Sequence, residues 1–91
     1  MRIAAIKGAD FKNREQIHEY LAGILEFPPY YGKNLSALYD VLTETDLKTQ
    51  IRIDYENMLD QEMIEYLDRM VQVITDAAAG NPDLELIVNR A

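Results

Sequence analysis

Asp40 and Glu44 stand four residues apart within Ser36-Ala37-Leu38-Tyr39-Asp40-Val41-Leu42-Thr43-Glu44. On a helix that spacing sets both carboxylates on one face. Such a pair can do acid–base work, bind a hard cation, or stand as surface charge with mild like-charge repulsion. No other candidate group lies near them in the sequence, which favours surface charge. His18 is the only histidine and the chain has no cysteine. A nitrogen- or sulfur-rich metal site, a disulfide and a thiol nucleophile are therefore out of reach. His18 falls beside the apolar stripe of its helix and reads as an exposed residue. Glycine-rich phosphate loops and the Gly-x-Ser-x-Gly elbow are absent. Pro28-Pro29-Tyr30-Tyr31 fits the Pro-Pro-x-Tyr pattern of WW-domain ligands. Four residues more readily make a rigid inter-helix loop whose tyrosines cover the edge of the core.

The elements that must position these groups follow from periodicity. Ile3-Ala4-Ala5-Ile6, bounded by Gly8, reads as a buried strand. Asn13 begins a helix, and Gln16 can complete a capping box with it. Ile17, Tyr20, Leu21, Ile24 and Leu25 recur at helical spacing and predict its buried face, and Pro28-Pro29 stops it. Asn34 caps a second helix running to about Thr43, with Leu35, Leu38 and Leu42 inward. Ser36, Tyr39, Asp40 and Thr43 occupy a different stripe of that helix.

Ile51-Arg52-Ile53-Asp54-Tyr55 alternates as a half-exposed strand does, and a short helical turn is expected near Asn57–Asp60. Met63, Ile64, Leu67, Met70, Val71, Ile74 and Ala78 mark a long helix that ends at Gly80, before Asn81-Pro82. Leu84 to Val88 is the last strand. The order β-α-α-β-α-β predicts an α/β fold with a three-stranded, mostly parallel sheet packed against helices. Helices should cover one sheet face, while the charges at Arg52, Asp54 and Glu85 leave the other partly wet.

Ninety-one residues suit a single domain, and the 48% apolar content suits a packed core. No run approaches the ~20 apolar residues of a membrane helix. No long apolar region or cleavage signal follows Met1-Arg2-Ile3, so the cytoplasm is the expected compartment. The net charge is −7, and between Ser36 and Asp68 nine acidic residues face two basic ones. The whole excess thus sits in the middle third. It opposes binding to nucleic acid and favours a basic partner, although an acidic surface also simply aids solubility.

The run Phe27-Pro28-Pro29-Tyr30-Tyr31-Gly32-Lys33-Asn34-Leu35-Ser36-Ala37-Leu38-Tyr39-Asp40-Val41-Leu42-Thr43 resembles the barstar family of ribonuclease inhibitors. Its core, Tyr-Tyr-Gly-x-Asn-Leu-x-Ala-Leu-(aromatic)-Asp-x-Leu, is long and specific. The flanking elements agree in outline, so the likeness covers nearly the whole chain. The resemblance implies one barstar-like domain over residues 1–91. It implies a non-catalytic inhibitor that needs no cofactor or metal. The partner would be a small basic secreted-type ribonuclease, bound one-to-one inside the cell, with no nucleic acid or membrane involved.

By the same resemblance, the second helix and the loop before it plug the enzyme's active site. Asp40 matches the family aspartate that stands in for the substrate phosphate, and Tyr30 the loop tyrosine that packs on the catalytic histidine. Asn34, Leu35 and Thr43 match contact positions. Tyr39 stands where the family has tryptophan, and Asp76 where it has a second acid, a glutamate. Ser36 replaces a family aspartate at the contact, and Glu44-Thr45 replaces a Gly-Trp pair. One expected carboxylate and one aromatic anchor are thereby lost, and Glu44 offers a carboxylate one turn further on. Two alternatives remain open: an adaptor or immunity module of the same fold that binds a basic protein other than a ribonuclease, and a small hydrolase using Asp40 and Glu44.

Overall fold

The computed structural model describes residues 1–90. Strand β1 spans Arg2–Lys7 and is followed by a short 3-10 turn at Gly8–Asp10. Helix α1 covers Arg14–Ile24, α2 Leu35–Glu44, and strand β2 Thr49–Asp54. Helix α3 runs over Gln61–Ala79 and strand β3 over Leu84–Asn89. The strands lie in the order β1-β2-β3, all parallel, so the β-α-α-β-α-β reading holds.

Register explains the two faces of the sheet. Ala4, Ile51 and Leu86 form one cross-strand row, and Ile6, Ile53 and Val88 the next. These rows face the helices and join Ile17 and Leu21 of α1, Leu38 and Leu42 of α2, and Leu67, Met70 and Ile74 of α3 in one core. The alternate rows hold Ile3, Gln50 and Glu85, then Ala5, Arg52 and Ile87. Gln50 bridges that face by donating to Glu85 and accepting from Arg52 Nε at 2.5 Å. The predicted wet face is therefore present.

Several local expectations need correction. β1 is covered on one side only, with Ile3 46% exposed, because an apolar edge strand can leave alternate side chains in water. A plain turn covers residues 56–57, and residues 58–60 are irregular chain rather than a helical turn. The helical turn lies instead at Gly8–Asp10, where a Cβ on Gly8 would overlap Met58 Sδ and Leu67 Cδ1. Asn13 does cap α1, accepting from Gln16 N at 2.9 Å, but Gln16 Oε1 accepts from Lys12 N and so misses the reciprocal capping bond.

Helix α1 ends before the prolines. Glu26 takes a left-handed φ of 56°, and Phe27 N donates to Ala22 O at 3.0 Å, a Schellman-type closure. Ile24, assigned to the buried face, is 45% exposed. His18, read as exposed, has no accessible surface at all. Its spacing to Leu21 and Leu25 is that of one helical face, so it shares their inward stripe. Tyr66 is likewise buried between Met63 and Met70 on α3.

Candidate protein-binding site

The site is built around α2, whose two ends are fixed by side chains. At the N-terminus, Asn34 is extended, and its Oδ1 accepts from Ala37 N at 2.8 Å. That bond satisfies one of the amides a helix start leaves free. Asn34 Nδ2 also donates to Gly32 O at 3.2 Å. The chain reaches the cap through Lys33 at a left-handed φ of 54°, a conformation that costs a non-glycine residue roughly 1 kcal/mol or more. Gly32 leaves room for the cap, since a Cβ there would stand 3.1 Å from Asn34 Nδ2.

At the other end, the buried Asn81 Nδ2 donates to Leu42 O at 2.8 Å and Thr45 O at 3.0 Å. Arg2 adds Nη2 bonds to Thr45 Oγ1 at 2.9 Å and Thr49 Oγ1 at 3.2 Å, while its Nη1 donates to Leu25 O. The Asn81 bonds, and at the end of α1 the Arg2 bond to Leu25 O, satisfy carbonyls that a helix end leaves without intrahelical partners. The Arg2 bonds to the two threonine hydroxyls tie the chain after α2 to β1 and β2. The sequence contains no local sign of them, because Asn81 and Leu42 are 39 residues apart.

Helix α2 packs on α3, and the two enclose a shallow cleft of about 240 Å3. Leu35, Ser36, Tyr39 and Asp40 line it from α2, and Val73 and Asp76 from α3. Five of the nine residues expected at the site therefore share one surface. Tyr30 stands on the loop before α2 and is 85% exposed. Asn34 is spent chiefly on capping. Thr43 and Glu44 are exposed at the C-terminal end of α2, outside the cleft lining, and Thr43 Oγ1 donates to Asp40 O at 2.9 Å. Asp76 accepts from Gln72 Nε2 at 2.9 Å, which orients its carboxylate. Gln72 and Val73 escaped the sequence reading as site residues, although both stand at helical spacing from Asp76.

The cleft is acidic: two carboxylates and no basic residue line it. Among the described residues, neither the Asp40 nor the Glu44 carboxylate enters an ion pair or a hydrogen bond. A larger depression of about 430 Å3 lies between the start of α1 and α3, but its charges balance: Lys12, Arg14 and Arg69 against Asp60, Glu62 and Glu65. Among the described residues no group of three or more His, Cys, Asp or Glu could hold a metal ion. No helix there is long and apolar enough to cross a membrane. The α2–α3 cleft can thus accept hydrogen bonds from cationic groups of another molecule, with Tyr39 and Leu35 supplying apolar contact.

The loop that leads into α2 is held by aromatic packing. Tyr31 N donates to Pro28 O at 3.0 Å, and the Tyr31 ring lies 4.8 Å from that of Phe27. The Tyr31 hydroxyl meets His18 Nδ1 at 2.6 Å. Burial pushes the Tyr31 hydroxyl well above its ordinary range, so it stays protonated. Of the loop's two tyrosines, Tyr31 therefore covers the core edge as expected, and Tyr30 does not.

The family model described as Barstar (barnase inhibitor) matches residues 1–88. A Bacillus subtilis (strain 168) protein named "Putative ribonuclease inhibitor YrdF" is 38% identical over 78 residues, which are 85% of this chain and 86% of that protein.

Proposed function

The chain belongs to the barstar family, and we propose that it inhibits a ribonuclease by seating α2 and the preceding loop in the enzyme's active site. The observation that carries this reading is the single-signed cleft, where Asp40 and Asp76 face outward with no basic residue in the lining. A ribonuclease active site gathers arginine, lysine and histidine around a phosphate. A carboxylate fixed on a rigid helix can accept the same hydrogen bonds without being cleaved. Tyr30 offers an exposed ring to the catalytic imidazole, and Asn34, Leu35, Ser36, Tyr39, Thr43 and Glu44 complete the contact along α2. The partner is then a basic enzyme bound one-to-one, and the chain itself is no catalyst. The family and the name of the relative both support an inhibitor.

The test is a titration of purified chain into a barnase-type ribonuclease cleaving RNA. Cleavage should fall linearly to an end point at one equivalent. An enzyme that stays fully active at excess chain would turn attention to the second reading, an adaptor for another basic protein. Ser36 and Glu44-Thr45 favour that reading, since they remove two family contacts. Ser36→Asp separates the two: it should tighten binding to a barnase-like enzyme by about tenfold, because a restored carboxylate enters a field of cations. A gain seen by calorimetry supports the ribonuclease reading, and a loss points to a partner with different chemistry at that contact.

A further inference from the structure

His18 has no accessible surface, yet it is polar and both of its ring nitrogens are engaged. Nδ1 lies 2.6 Å from the Tyr31 hydroxyl and Nε2 2.6 Å from the Tyr66 hydroxyl. The three side chains come from α1, from the loop before α2, and from α3. A neutral imidazole has one N–H and one lone pair. In either tautomer one tyrosine therefore accepts from the ring and the other donates to it. Protonation replaces the lone pair with a second N–H. Both phenols must then accept from the ring, so the tyrosine that donated joins the other in holding a buried O–H with no side-chain acceptor.

Resting on the inhibitor reading, we propose that His18 is a positioning residue of the partner site: the Tyr31–His18–Tyr66 chain locks the 28–33 loop onto α1 and α3 only while the imidazole is neutral, so loop order and partner binding fall together in acid. The charged surroundings agree. From α1, Arg14 lies 5.3 Å from the Tyr66 ring centroid, and from α3, Arg69 lies 5.4 Å from it. From the loop, Lys33 is taken up by Glu19 of α1 at 3.4 Å. From the end of the 57–60 segment and from α3, Asp60, Glu62 and Glu65 line the same depression as Arg14, Tyr66 and Arg69, but among the described residues no carboxylate contacts the imidazole itself to stabilise a third positive charge beside the two arginines. Burial first, and Arg14 second, lower the proton affinity of His18 below that of an ordinary histidine. With the folded value below the unfolded one, the stabilisation is complete above about pH 6.5 and is lost as pH falls through the folded value.

Two measurements on the full chain test this. Amide hydrogen exchange of residues 28–34, without partner, should quicken by about tenfold between about pH 7.5 and pH 5 after correction for intrinsic rates, while exchange in the β2 core stays slow. The dissociation constant for a barnase-type ribonuclease should rise by about tenfold over the same interval. His18→Gln keeps a donor and an acceptor but cannot titrate, so the change in loop exchange should vanish in it and the rise in dissociation constant should shrink to the part that belongs to the enzyme. That comparison also removes titration of the enzyme itself. Should His18→Gln fail to fold, Tyr66→Phe cuts one link and should quicken loop exchange already at neutral pH. Loop exchange that does not respond to pH in the wild type, or responds equally in His18→Gln, overturns the proposal. If the chain inhibits no ribonuclease, the docking reading fails, and the exchange arm still decides whether the lock exists.

Discussion

Asp40 sits one helical turn after Ser36, exposed, and among the described residues its carboxylate enters no ion pair or hydrogen bond. Its carboxylate holds nothing in the fold, so Asp40→Ala should shift stability by no more than about 0.5 kcal/mol. In the proposed docking, the same carboxylate would be desolvated among the enzyme's cations. Its removal leaves those cations buried and unpaired, which commonly costs about 2–5 kcal/mol. The expected outcome is a near-normal melting curve with at least ~30-fold weaker binding, mostly through faster dissociation. An unchanged dissociation constant would return Asp40 to plain surface charge. Tyr30 makes a sharper distinction between atoms. It is 85% exposed, so its ring is free to pack against an imidazole face. Tyr30→Phe should bind almost normally, whereas Tyr30→Ala should lose about tenfold or more. Comparable losses in both would assign the contact to the hydroxyl instead.

Helix α2 is short, at 10 residues, and a helix of that length is marginal alone. Its order comes from Leu38 and Leu42 in the core and from the bonds at its ends. Asn81→Ala removes the donor to Leu42 O and Thr45 O and leaves buried carbonyls unpaired, at about 1–3 kcal/mol. A thermal melt should therefore drop by roughly 4–8 °C per kcal/mol in a domain of this size. Partner binding measured well below that melt should weaken only slightly, because the cleft residues are untouched. The elements themselves were legible, because their signals are local. Asn34 followed by an apolar stripe announces a capped helix, and the period-two pattern of Ile51 to Tyr55 announces a strand. What escaped is long-range. The bonds from Arg2 to Leu25, Thr45 and Thr49 join parts of the chain 23 to 47 residues apart. His18 was misread because a polar residue is assigned to water unless a buried partner is known. Its partners Tyr31 and Tyr66 are 13 and 48 residues away. In the site, Asp40 and Tyr39 were legible through the motif, whereas the pairing of Asp76 with Gln72 and Val73 against α2 required the packed helices.

The whole molecule measures 35 × 26 × 20 Å, and its −7 charge is not spread evenly over that surface. The acidic third, from Ser36 to Asp68, comprises α2, β2 and the first part of α3. One of its acids is neutralised locally: Asp68 accepts from the Tyr55 hydroxyl at 2.8 Å and pairs with Arg90 at 3.1 Å. The Tyr55 hydrogen bond, and then Arg90, hold the Asp68 carboxyl below its usual range, while burial above all pushes the Tyr55 phenol up to about 12. The remaining acids are largely exposed, and Asp54 and Asp60 bond only to neutral amides, so among the described residues none is ion-paired and together they form a field. At about 0.01 M salt the screening length, ~30 Å, spans most of the molecule, so the excess acts as one charge on an approaching basic partner. At about 1 M it shrinks to ~3 Å, and only groups in contact still interact. Association should therefore slow by about tenfold or more across that range, while dissociation changes far less. Glu56 and Glu62 are exposed acids of this third that do not line the α2–α3 cleft. The double substitution Glu56→Gln and Glu62→Gln should slow association at low salt, leave dissociation unchanged, and lose its effect at high salt. Stopped-flow mixing with the inhibited ribonuclease reads all three. Association rates that stay flat with salt would mean that the acidic third serves solubility and that recognition rests on the cleft alone.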